Sequence, residues 1–148
     1  MTAGQHNVHG TAIVVGTTGL LFVGPSGTGK SSLAYSCIAD AQSQGLFSAL
    51  VADDQVFLSA ASGHMIAECP PTIAGMLELR GTGIVKLAYI SPALMHFAVA
   101  ITDTSGAERL PPDEDRIDLV PDISLPVIRI PAMAPNALAL IRAKIQLK

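Results

Sequence analysis

The chain has 148 residues, 49% hydrophobic and only 14% charged, with a formal net charge of −3 at pH 7 and a mean hydropathy of +0.46. That length suits one domain around one core, and the acidic balance, without any lysine-arginine cluster, argues against a nucleic-acid partner. No stretch approaches the roughly 18 uninterrupted apolar residues of a membrane span, so no membrane partner is expected either.

The first 29 residues contain no Asp, Glu, Lys or Arg. Glycines and threonines break up their apolar runs and no basic segment precedes them, so they read as neither signal peptide nor span. A cytoplasmic protein is expected, and Cys37 and Cys69, which fit no metal spacing, read as buried free thiols of a reducing compartment. "HGTAIVVGTTGLLFVG" predicts two short strands joined at "GTTG". The second, Gly19 to Val23, runs into a glycine-rich loop. "SSLAYSCIADAQSQG" has helical spacing, with Leu33, Cys37 and Ile38 on one face and Gly45 as its stop.

"FSALVADDQVFLSAA" predicts a strand that ends or kinks at two adjacent carboxylates. After a turn at "SGH" comes a short strand around Met65 to Glu68, then a proline-marked loop. A strand or strand pair follows around a second glycine motif in "MLELRGTGIVKL". "HFAVAITD" is a strand bounded by polar residues and glycine. "AERLPPDEDRIDLVPDISLP" reads as a surface connection, and "NALALIRAKIQLK" as a helix with basic residues near its C-terminal end.

Between the second strand and the first helix, Gly24-Pro25-Ser26-Gly27-Thr28-Gly29-Lys30-Ser31 satisfies G-x-x-x-x-G-K-[ST] in the required strand-loop-helix setting. Its glycines let backbone N–H groups turn inward around a polyphosphate, and the helix directs its positive end at the same anion. Lys30 brings a charge to the β and γ phosphates, Ser31 brings a hydroxyl to Mg²⁺, and Ser32 lines the same turn. ATP with Mg²⁺ is the expected ligand. The pair Asp53-Asp54 lies where such proteins keep one metal-associated acid. Successive strand side chains point to opposite faces, so both serve one centre only if the strand bends. One carboxylate is then available to the metal and the other to accept a hydroxyl proton during phosphoryl transfer.

In this order, "HGTAIVV", the phosphate loop, "VADD", "ELRGTGIVKL" and "AERLPPDE" resemble the bacterial HPr kinase/phosphorylase family, over roughly His9 to Arg109. The resemblance implies an α/β P-loop nucleotide-binding domain with a mixed, strand-rich sheet, similar to the nucleotide core shared with phosphoenolpyruvate carboxykinase. It implies ATP-dependent phosphorylation of a seryl residue of HPr, a phosphotransferase-system phosphocarrier, and in the family also the reverse phosphorolysis. Carried over by position, His9 matches a histidine that tunes the catalytic aspartate. Lys30 and Ser31 match the phosphate and metal ligands. Asp53 is favoured as the base and Asp54, with Glu78, for the metal, the exchange of the two aspartates being the alternative. Arg80, Gly81, Thr82 and Gly83 match the signature loop, and Arg109 an arginine that offsets charge on the transferring phosphate.

The chain begins just ahead of His9, so one kinase domain over residues 1–148 without an N-terminal regulatory domain is expected. In this the chain resembles the family's short form, known mainly from alphaproteobacteria, where HPr belongs to a regulatory phosphorelay. Long members assemble as hexamers, which makes a homo-oligomer the corresponding expectation. Near the C-terminus, "LPVIRIPAMAPNALAL" departs from the basic loop that long members use for dephosphorylation, with Arg129 its only cation. Two rivals remain: a P-loop kinase for a small-molecule acceptor, and a non-catalytic nucleotide-sensing module.

Overall fold

In a computed structural model of the chain, which describes residues 4–102 and 115–146, the two predicted strands form a hairpin. Strand β1 (His6–Val15) and strand β2 (Thr18–Val23) pair antiparallel, Val15 facing Thr18 across the two-residue turn. Helix α1 (Lys30–Ser43) follows the glycine loop, and its buried side chains Leu33, Ala34, Cys37, Ile38 and Ala41 fall on one face at helical spacing. Strand β3 (Ser48–Ala61) then runs antiparallel to β1, from Val15 opposite Ser48 to His6 opposite Leu58.

Strand β3 does not end at its carboxylates. It kinks there and continues to Ala61. Ala12 faces Ala52 while Ile13 faces Leu50, so Val51 is an extra, bulged residue, and bulges bend a strand and re-aim its side chains. Three residues on, Asp54 takes φ 73°, a left-handed conformation that Asp tolerates better than bulky residues. Together these break the strict alternation that would have sent Asp53 and Asp54 to opposite faces.

Strand β4 (His64–Glu68) returns along β3. A small hairpin apart from the main sheet follows, made of β5 (Met76–Leu79) and β6 (Gly83–Lys86). Strand β7 (Ala93–Met95) pairs with β4, and β8 (Phe97–Thr102) lies parallel to β2. Strands β9 (Arg116–Val120) and β10 (Ile123–Pro131) and helix α2 (Ala137–Gln146) complete the described chain. The main sheet has eight strands in the order β7-β4-β3-β1-β2-β8-β10-β9, mixed in direction because β2-β8 and β8-β10 are parallel and the remaining pairs antiparallel. It curls far enough that β3 approaches β9 across the intervening strands.

The segment read as a surface connection is corrected here. Residues 107–114 lie outside the described residues, but from Arg116 onward the chain forms the β9-β10 hairpin. Proline concealed it. Pro121 opens the turn, and Pro126 sits in the part of β10 that pairs with β9 alone, since pairing with β8 begins only at Val127. A residue without an N–H is tolerated where no ladder bond is required of it.

The sheet buries side chains on both faces. On one, α1 and α2 cover Ile13, Leu20, Phe22, Leu50, Val99 and Ile128. On the other, the curl encloses Leu21, Val51, Val56, Leu58, Met65 and Val127. Leu77, fully buried, anchors the small hairpin to the helical side.

The two cysteines differ. Cys37 is buried in the core, where desolvation chiefly, with the Asp40 charge, pushes its thiol up to about 12. Cys69 is only half-buried, and burial raises it without enclosing it. A disulfide reagent at pH 8 should therefore titrate one thiol in the native protein and the second only on addition of denaturant. Two thiols reacting together without denaturant would contradict the enclosure of Cys37.

Candidate active site

Where β2 enters α1, the chain turns through residues 24–29. Gly29, the residue before the helix, has φ 92°, and no side chain among the described residues caps the helix N-terminus. A residue with a Cβ is strained at that angle, and the first-turn N–H groups are left to face the cleft rather than a capping oxygen. Thr28 Oγ1 closes the loop onto the Pro25 carbonyl at 2.8 Å. Lys30, buried at the first helical position, folds back so that Nζ donates to the carbonyls of Gly24 at 2.8 Å and Pro25 at 3.0 Å. Burial lowers its pKa, opposed by the charges of Asp53 and Asp54. A desolvated ammonium held, among the described residues, by two carbonyl oxygens is ready to exchange them for an anion.

The bend in β3 brings both aspartates to this loop in different settings. Asp53 is 5% exposed. Its Oδ1 accepts from Ser31 Oγ at 2.7 Å and Thr11 Oγ1 at 2.8 Å, and its Oδ2 from the backbone N–H of Glu78 at 3.0 Å. Asp54 is the open one, its side chain 68% exposed, and Oδ1 pairs with His9 Nε2 at 2.7 Å. An ionised carboxylate only accepts, so in this contact His9 presents an N–H at Nε2. Asp54 Oδ2 has no hydrogen-bond partner among the described residues.

The small hairpin forms the facing wall. Glu78 and Arg80 line the cleft together with His9, Thr11, Ser26, Gly27, Gly29, Lys30, Ser31, Ser32, Asp53 and Asp54, around a volume of about 350 Å³. A side chain on Gly27 would begin 3.7 Å from Arg80 Nη1, so the guanidinium stands over the tip of the loop. Gly81 and Gly83, with φ 82° and 116°, make the turn that carries Arg80 rather than lining the cleft themselves. Gly24, Pro25 and Thr28 shape the loop from behind.

Among the described residues, no three His, Cys, Asp or Glu side chains come together to hold a metal. What is present, a hydroxyl and carboxylates beside an anion-binding turn, fits Mg²⁺, which takes few protein ligands and completes its shell with phosphate and water. The cleft lining offers oxygen ligands for it, among them Ser31, Asp53, Asp54 and Glu78.

The structure thus gathers His9, Lys30, Ser31, both aspartates, Glu78 and Arg80 in one place. The predicted Arg109 lies outside the described residues. Sequence reasoning missed Thr11. Its signal was a polar side chain two residues from His9, hence on the same strand face, just before the apolar run Ala12 to Val15.

Comparisons with known proteins place the chain in a family and match its fold. A family model described as the HPr Serine kinase C-terminal domain matches residues 1–146. An HPr kinase/phosphorylase of Bordetella petrii is 40% identical over 84 residues, 56% of this chain and 25% of that protein. One of Xylella fastidiosa is 28% identical over 153 aligned residues, 94% of this chain and 46% of that protein. The chain therefore spans less than half the length of these curated relatives. Among solved structures, the Hpr(Ser) kinase/phosphatase from Coxiella burnetii superposes with a TM-score of 0.77 at 22% identity, covering 96% of this chain and 95% of that one. The α/β fold with a strand-rich, curled sheet is shared with it.

Proposed function

The chain belongs to the HPr serine kinase C-terminal domain family, and we propose that it transfers the γ-phosphoryl group of ATP to a seryl hydroxyl of HPr. One observation carries this reading beyond membership. An exposed carboxylate, Asp54, with one oxygen unpartnered among the described residues, stands beside a buried lysine in a glycine turn. Nucleotide binding alone has no use for that second acid. Its exposure suits an acceptor presented by another protein.

In the proposed reaction the triphosphate lies in the turn of residues 24–31, where Lys30 leaves its two carbonyls for the phosphate oxygens. Arg80 approaches from the hairpin. A magnesium ion held with the nucleotide by Ser31 and the neighbouring carboxylates would offset charge on the phosphates. The seryl hydroxyl hydrogen-bonds to Asp54 Oδ2 while His9 holds Oδ1. As the seryl oxygen bonds to the γ-phosphorus and the bond to the ADP oxygen breaks, the hydroxyl proton passes to Asp54. The roles of the two aspartates are here the reverse of the sequence-based assignment. Asp53 has its oxygens engaged by three donors and is shielded from an incoming substrate, whereas Asp54 is open and is the partner of His9.

The direct test is incubation of the purified protein with γ-labelled ATP, Mg²⁺ and HPr. Label on a seryl residue of HPr is the expected result. Label in a small metabolite instead, or nucleotide binding without any turnover, would replace this reading with one of its two rivals. The same preparation supplied with phosphorylated HPr and inorganic phosphate tests the reverse reaction, with pyrophosphate as the product.

A further inference from the structure

Thr11 is almost fully buried, at 1% exposed, in a strand that otherwise turns apolar from Ala12 to Val15. A valine has nearly the same shape and no hydroxyl to satisfy, so the threonine costs desolvation unless its hydroxyl is used. It is used on Asp53: Thr11 Oγ1 and Ser31 Oγ donate to the same oxygen, Oδ1, at 2.8 and 2.7 Å. Because that oxygen only accepts, both hydroxyl protons are committed to it, and Ser31 is left with only lone pairs to offer the cleft. Lone pairs are what a cation requires.

The torsion that rotates an aspartate's carboxyl group is soft and nearly two-fold, so hydrogen bonds must fix it. For Asp53 they come from three elements: Thr11 on β1, Ser31 on α1 and the Glu78 N–H on β5. We propose that Thr11 is a positioning residue: it locks Asp53 and thereby keeps the Ser31 lone pairs aimed at a divalent cation bound with the nucleotide. The inference rests on the nucleotide-and-cation part of the proposed function, and not on the identity of the acceptor.

The test is the equilibrium binding of a fluorescent ATP analogue, with Mg²⁺ and in EDTA, to the full chain and its Thr11 variants. The ratio of the two dissociation constants measures the cation's contribution without any turnover. For wild type, binding is expected to be tighter with Mg²⁺. Thr11→Val should shrink that advantage by about tenfold or more, the scale of a hydrogen bond to a charged group, leaving affinity in EDTA unchanged. Thr11→Ser, which restores the donor, should recover the wild-type ratio.

A Thr11→Val ratio equal to wild type overturns the inference. So does an equal loss with and without Mg²⁺, which marks a merely structural residue, or a Thr11→Ser that behaves like Thr11→Val. If Thr11→Val is too unstable to titrate, Thr11→Ala removes the same donor and is judged by the same criterion. A wild-type protein indifferent to Mg²⁺ overturns the cation part of the proposed function and this inference with it. A responsive wild type with an unaltered valine variant overturns this inference alone.

Discussion

Asp54→Asn will abolish transfer to the seryl acceptor, lowering the rate by about 10²–10⁴-fold, the usual worth of a positioned proton acceptor, while nucleotide affinity stays close to wild type. The substitution is well suited to the site. Asn accommodates the left-handed backbone at φ 73° almost as well as Asp does, and the side chain is largely exposed, so folding should change little. Asp53→Asn should behave differently. Its amide replaces an acceptor with a donor inside a ring of donors from Thr11, Ser31 and the Glu78 N–H, at a buried position where an unsatisfied group costs about 1–3 kcal/mol. Loss of Mg²⁺-dependent nucleotide affinity, with some loss of thermal stability, is the expected outcome. Stopped-assay rates and equilibrium titrations on both variants separate the roles. If Asp54→Asn retains turnover while Asp53→Asn loses it with binding intact, the sequence-based assignment of the base to Asp53 is restored.

Lys30→Met should give the second large effect, and in opposite directions for function and stability. The ammonium is buried and desolvated, held by two carbonyl oxygens. A methionine of similar length removes that desolvation penalty, which outweighs the attraction of Asp53 and Asp54 in setting the lysine's pKa. The unfolding midpoint should therefore stay level or rise. Phosphotransfer should fall by about 10²–10³-fold, the cost of deleting one charge-stabilising donor from a preorganised site, and nucleotide affinity should fall with it. A thermal melt beside the binding titration makes the outcome unambiguous: a destabilised variant would show that Lys30 ties the loop together rather than serving an anion.

The local chemistry of this site was legible in the chain because it is written in consecutive residues. The phosphate turn needs glycines at fixed offsets, a lysine and a hydroxyl, and all lie within Gly24 to Ser31 between an apolar strand and an apolar helical face. The β1-β2 hairpin, α1, the β5-β6 hairpin, β8 and the C-terminal helix were likewise visible, since each carries its own periodicity and punctuation. The β9-β10 hairpin was not. Its prolines mimic a loop unless one knows which edge of β10 is left unpaired, and pairing is decided by strands far away in sequence.

The resemblance added the family, an expected acceptor and candidate roles for the hairpin residues Glu78 and Arg80, which spacing alone would have left as a surface ion pair. It did not settle how two neighbouring aspartates divide their labour. That depends on the bulge at Val51, the kink at Asp54 and the register that sets Thr11 opposite Asp53 and Gly10 opposite Asp54. Sequence by itself determined that this protein carries a glycine turn with a lysine and a hydroxyl, chemically suited to an anion, together with paired acids, because amide geometry, lysine charge and carboxylate chemistry are properties of short segments. Only the tertiary structure decided which acid is enclosed and which is open, because burial and hydrogen-bond partners are supplied by β1, α1 and β5, and these meet only once the chain has folded.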